Sequence, residues 1–196
     1  MGSVLLEREH IAGMPVPCGK KSTRGRSRWY ALHVQEGAEA ATADKLNRIL
    51  GPDCLQRAFA LRKECWMKRQ GAWRLVAKPM WPQYLFAESI DAVALAEALG
   101  KLSFRVELAG VEGRGVAPLD DGVRAWLEQN VDSTGTVRGS VAEIVGGELR
   151  VLSGPLVGQE SRVLKVDRHK RTALVAMGDG PKAPAEVLAL DVPVKR

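Results

Sequence analysis

Trp29-Tyr30-Ala31-Leu32-His33-Val34 marks where order begins in this chain. Aromatic and branched residues follow one another there without an intervening charge, which suits a buried strand. Upstream, residues 1–28 are rich in Gly, Ser, Pro and charge and lack apolar periodicity, so they read as a disordered basic arm. Downstream, Gly37 breaks the strand, Ala43, Leu46, Asn47 and Leu50 recur at helical spacing, and Gly51-Pro52 stops that helix.

Phe59 to Met67 reads as a strand, Gln70-Gly71 as a turn and Trp73 to Ala77 as the return, which makes a hairpin with a basic tip. Pro79 and Pro82 bracket a second turn before Tyr84-Leu85-Phe86-Ala87 resumes a buried strand. Ser89 or Asp91 caps a helix whose apolar face carries Ala92, Leu95, Ala96 and Leu99. Phe104 to Leu108 predicts another strand, and a last helix starts near Asp120 with Val123, Trp126, Leu127 and Asn130 on one side. This mixture predicts an α+β unit over residues 29–130, an antiparallel sheet flanked by helices.

The texture then changes. Residues 131–142 are polar and contain glycine, as a linker would. Beyond them Leu149, Val151, Val163, Val166, Leu174 and Val175 lie in short runs separated by Gly154-Pro155, Gly158, Asp167-Arg168 and Gly178-Asp179-Gly180. Frequent turns between branched runs predict a small all-β barrel over 143–194, closed so that few strand edges stay exposed.

Composition limits what such a chain does. A length of 196 residues suits one medium domain or two small ones, and 45% apolar content is ample for a core. The apolar stretches are too short and interrupted to span a bilayer. Glu7, Arg8, Glu9 and His10 break up the only N-terminal apolar cluster, Val4 to Leu6, so no signal peptide is expected. Leu6 stands where a myristoylation motif wants Ser or Thr. A soluble, cytoplasmic protein without membrane partners is expected. Cys18, Cys54 and Cys65 show neither paired spacing nor a metal signature, and are expected to be reduced structural thiols.

Charge is clustered. The net charge is +6, and between Arg57 and Lys78 seven basic residues face only Glu64. Such clusters attract polyphosphate backbones, although many solvated faces look the same. Catalysis finds little support. The three histidines, His10, His33 and His169, belong to no recognisable nucleophile or metal constellation. Asp120-Asp121 opens a helix, where acidic residues favour the dipole. The glycines at 110, 113 and 115 lack the Lys-Ser/Thr partner of a phosphate loop. No enzyme and no cofactor are expected.

Three segments, in order, resemble the NusG family of transcription elongation and antitermination factors. Trp29-Tyr30-Ala31-Leu32-His33 resembles the Trp-Tyr opening strand of the family's N-terminal (NGN) domain. Lys78-Pro79-Met80-Trp81-Pro82-Gln83-Tyr84-Leu85-Phe86 resembles its Phe-Pro-Gly-Tyr strand entrance. Gly147-Glu148-Leu149-Arg150-Val151 with Ser153-Gly154-Pro155-Leu156-Val157-Gly158 resembles the start of a KOW barrel, an SH3-like fold. The sequence departs from the housekeeping pattern at Gln83, where Gly is common, and at Trp81, where Phe is. Gln83 places the chain nearer the specialised paralogues of the RfaH and LoaP kind. The loop Met177 to Glu186 lacks the family's usual aromatic, so binding of Rho or the ribosomal protein NusE through the KOW domain is an open expectation.

The resemblance implies a monomer that grips the clamp helices of the largest RNA polymerase subunit through His33, Trp81, Pro82, Tyr84 and Phe86. Phe86 reads as core sooner than as pocket, while Trp81, held at a strand entrance by Pro82, reads as an exposed anchor whose removal leaves the domain folded. Exposed aromatics of this kind make strong interface anchors. It also implies contacts to DNA of the elongation complex through Lys45 and Arg48 on the first helix and Arg62, Lys63, Lys68, Arg69 and Arg74 on the hairpin. Two other functions stay open: a housekeeping NusG coupling polymerase to Rho or the ribosome, and a KOW-containing, ribosome-associated RNA-binding protein.

Overall fold

A computed structural model describes residues 26–111, 115–180 and 183–195. The basic arm expected over 1–28 therefore lies almost wholly outside the described residues. Only its end is seen, where Arg28 already belongs to the first strand.

The elements run β1 (Arg28–His33), α1 (Glu39–Ile49), β2 (Arg57–Phe59), β3 (Arg62–Arg69), β4 (Ala72–Pro79), β5 (Tyr84–Ser89) and α2 (Ala92–Gly100). There follow β6 (Glu107–Leu108), β7 (Gly110–Val111), β8 (Gly115–Val116), α3 (Asp121–Asn130) and β9 (Thr136–Val137). The chain ends with β10 (Ser140–Val145), β11 (Glu148–Ser153), a 3-10 turn (Glu160–Arg162), β12 (Val163–Asp167), β13 (Thr172–Ala176) and β14 (Ala185–Lys195). The fold is mixed α+β, as expected.

By its contacts the chain divides into two compact units. The first holds Trp81–Arg124 and the described part of Leu5–Leu61; the second holds Arg62–Met80 and the described part of Ala125–Arg196. The hairpin β3–β4 thus counts with the C-terminal strands, whereas the sequence alone groups it with its N-terminal neighbours.

In the first unit a four-stranded antiparallel sheet has the order β2-β5-β1-β6. Side chains alternate across a strand, so one face carries Tyr30, Leu32, Leu85, Ala87 and Ala58. These form a core with Ala43 and Leu46 of α1 and Leu95 and Leu99 of α2. Asp91 caps α2 by accepting hydrogen bonds from the backbone N–H of Val93 and Ala94, satisfying donors that a helix start leaves orphaned. The opposite face carries Trp29, Phe59 and Phe86, with Phe86 6.0 Å from Phe59 and 6.1 Å from Trp29, ring centre to ring centre.

At one end of that face sits a charge cluster. The Glu88 carboxylate accepts from Ser27 Oγ at 2.6 Å, Arg57 Nε at 2.7 Å and Arg124 Nη2 at 3.0 Å. Burial alone would raise the carboxyl's pKa, but the hydrogen bonds from Ser27 and Arg57 and the charges of Arg57 and Arg124 outweigh it and hold Glu88 below the ordinary carboxylate range. A carboxyl with a depressed folded pKa contributes stability above its unfolded value, near 4.3, and loses it as pH falls through the folded value. Urea midpoints measured from pH 7 down to pH 3 are therefore expected to fall less steeply in Glu88→Gln, although that variant starts lower at pH 7. Parallel acid limbs in both proteins would refute this.

In the second unit β3 and β4 pair in full register around a two-residue turn in which Gln70 and Gly71 both have positive φ, 50° and 81°, as a type I′ hairpin requires. The small strand β9 adds in parallel to β3. The other sheet runs β11-β10-β14-β13-β12. Where a closed barrel is expected the structure has this five-stranded sheet, whose pairings among the described residues leave β11 and β12 at its two ends. The long β14 pairs antiparallel with β13 over Ala185–Ala189 and parallel with β10 from Leu190 onward. Pro193, which has no N–H to give, falls where the parallel register shifts. Gly154 is obligatory: at φ 96° an added Cβ would come within 2.6 Å of Ser140 Oγ.

Residues 131–142, read as a linker, hold β9 and the start of β10. Polar composition misled because the polar groups are spent on a turn. Asp132 Oδ1 accepts from Thr134 N at 2.8 Å and Thr136 N at 3.1 Å, while Thr136, Val137 and Ser140 are buried.

Candidate functional site

The β1–β5 register sets His33 opposite Tyr84, and their rings meet edge-on at 5.4 Å. Both are half-buried. The turn that feeds β5 runs from Trp81 to Tyr84 and is closed by a 3.2 Å hydrogen bond from Tyr84 N to Trp81 O. Pro82 takes its second position, where a fixed φ is favourable, and Gln83 its third, with φ 70°. This is the geometry of a type II turn, whose third position ordinarily calls for Gly. A side chain there costs on the order of 1 kcal/mol.

Glu39 holds the turn from below. Its carboxylate, 4% exposed, accepts from Gln83 N at 2.8 Å and Gly37 N at 3.1 Å. Val34 N donates to Gln83 O at 2.9 Å. The Gln83 side chain reaches outward, with Oε1 3.2 Å from His33 Nε2 and Nε2 3.4 Å from Glu36 Oε2. Glu36, Pro82 and Gln83 are exposed. Sequence reasoning missed Glu36 and Glu39. An acidic pair flanking the Gly37 break just after a strand end was the available signal, but Gln83 lies 44 residues beyond Glu39 and 47 beyond Glu36.

Trp81, expected as an exposed anchor, is not at the surface, and Phe86 is core, as its reading favoured. Trp81 is 5% exposed and packs edge-on against Phe86 at 5.5 Å, and Phe86 is itself 3% exposed. Pro82 does hold a strand entrance, yet the turn directs the indole inward onto the aromatic face of the sheet. Of the rings expected as anchors, His33 and Tyr84 are the ones left partly open.

The basic residues separate similarly. Lys45 and Arg48 are exposed on α1, where Lys45 Nζ lies 3.7 Å from the centre of the Phe104 ring and Arg48 Nε donates to Asp44 O at 3.2 Å. In the second unit Lys68, Arg69 and Arg74 are exposed around the hairpin tip, and Arg62 is exposed with Nη2 on Ala77 O at 3.1 Å. Lys63 departs from expectation. It is 9% exposed, and its ammonium donates to Glu186 Oε1 at 2.7 Å and Val187 O at 3.1 Å, so it is spent inside the fold.

Among the described residues no group of three or more His, Cys, Asp or Glu could hold a metal ion. No described helix is long and apolar enough to cross a membrane. Cys54 and Cys65 are free thiols, and burial pushes the Cys65 thiol up.

A solved structure is similar over most of the chain. It concerns domain interaction in Thermotoga maritima NusG, with 15% identity and a TM-score of 0.45, covering 85% of this chain and 94% of that one. No family model matches. No curated protein does either.

Proposed function

We propose that this chain is a transcription elongation or antitermination factor, a specialised paralogue of the NusG type, that binds RNA polymerase at the clamp helices of its largest subunit. The observation that carries the reading is the juxtaposition of His33, Pro82 and Tyr84. Two motifs about fifty residues apart, each weak alone, meet at one end of the β1–β5 pair, where both rings are partly open. Rings offer large contact area at low entropy cost, and a half-open pair beside a rigid turn suits an interface anchor. The mechanism is stabilisation of the active polymerase state by differential binding, without catalysis or a cofactor.

A folded His33→Ala/Tyr84→Ala variant is expected to retain core RNA polymerase at least about tenfold more weakly in a pull-down. Undiminished recovery would end the proposal. In the same reading Lys45, Arg48, Arg62, Lys68, Arg69 and Arg74 contact DNA phosphates of the elongation complex, a salt-sensitive and largely sequence-independent interaction. Coupling to NusE or Rho would fall to the second unit.

A further inference from the structure

Gln83 occupies a position suited to Gly, and what it brings is its amide. The Nε2 donates to Glu36, which leaves Oε1 turned toward His33 Nε2. A carbonyl oxygen only accepts, so the hydrogen of the neutral imidazole must sit on Nε2, and Nδ1 is left as an acceptor. The cluster of Glu36, Gln83, His33 and Tyr84 then combines a carboxylate, an acceptor nitrogen and two ring edges.

We propose that this cluster receives an arginine side chain of the protein partner, and that Gln83 is the positioning residue that selects the tautomer of neutral His33 and so leaves Nδ1 to accept. A guanidinium fits because it is planar, donates in several fixed directions and packs on aromatic rings, whereas an ammonium is a strongly hydrated point charge. Gln83 acts through His33 and through Glu36. The inference rests on the polymerase-binding reading for the partner's identity, but the positioning role concerns the free protein.

The test uses the full chain and three readouts: imidazole nitrogen and carbon NMR signals of His33, the melting temperature, and affinity for core RNA polymerase. Wild type is expected to show one neutral tautomer, protonated on Nε2. In Gln83→Gly the signals should move to a tautomer average, and polymerase affinity should fall about tenfold. The melting temperature should stay level or rise by up to about 3 °C, because the turn is relieved. A merely structural residue would not give weaker binding at undiminished stability. Glu36→Lys should abolish binding.

Unchanged His33 signals in Gln83→Gly, a lowered melting temperature, or full affinity would each overturn the positioning role. Full affinity in Glu36→Lys would overturn the arginine. If wild type fails to bind core RNA polymerase, the polymerase reading falls, and the His33 signals alone decide whether Gln83 positions the ring.

Discussion

Lys63→Ala is expected to destabilise the second unit by about 3–5 kcal/mol, because it leaves the Glu186 carboxylate buried without its cation. The two side chains are 11% and 5% exposed and meet at 2.7 Å. Glu186 Oε1 also accepts from Val187 N at 2.8 Å, a bond the carboxylate would lose on turning to solvent. Taking ions from water is costly, and attraction repays the cost only while both partners are present. Lys63→Met combined with Glu186→Leu is therefore expected to recover most of the loss. Urea unfolding followed by fluorescence is suitable, since Trp66, Trp73 and Trp126 belong to this unit. A single variant within 1 kcal/mol of wild type, on the order of a surface ion pair, would show that the pair is not insulated from water.

Trp81→Ala carries the second large effect, and it falls on folding. Removing a buried indole leaves a cavity and forfeits its transfer energy, about 3–5 kcal/mol together. The loss spreads because the rings form a chain: Trp81 meets Phe86 at 5.5 Å, Phe86 meets Phe59 at 6.0 Å, and Phe59 meets Trp29 at 4.6 Å. Each such pair adds roughly 0.5–1.5 kcal/mol beyond area burial. Tyr84→Ala, at a half-open position, should cost clearly less. Circular dichroism melts of both variants decide it, and equal melting temperatures would return Trp81 to the surface. Reduced polymerase recovery by Trp81→Ala means nothing until such a melt is in hand.

Much of the first unit was legible because its signals are local. The branched run at Trp29 became β1, the spacing of Ala43 and Leu46 became one buried face of α1, and of the two caps the sequence offered, Ser89 and Asp91, it is Asp91 that caps α2. Gln70-Gly71 announced the hairpin correctly. Failures came where a residue's fate depends on a distant partner. Lys63 sits in a basic run and looks solvated, yet Glu186 lies 123 residues away. Trp81 looked exposed beside Pro82, but a turn with positive φ at Gln83 aims it inward, and a Gln gives no local warning of that conformation. The segment after Asn130 looked like a linker because hydroxyl and glycine content mark loops whether or not they end in buried strands.

The ion pair between Lys63 and Glu186 also orders events in time. A ribosome delivers the hairpin long before the strand that receives it, and domains generally fold as units once their chain has emerged. Until Glu186 follows, the Lys63 ammonium remains hydrated. A ribosome stalled upstream of β14 would display the hairpin with its cation still in water.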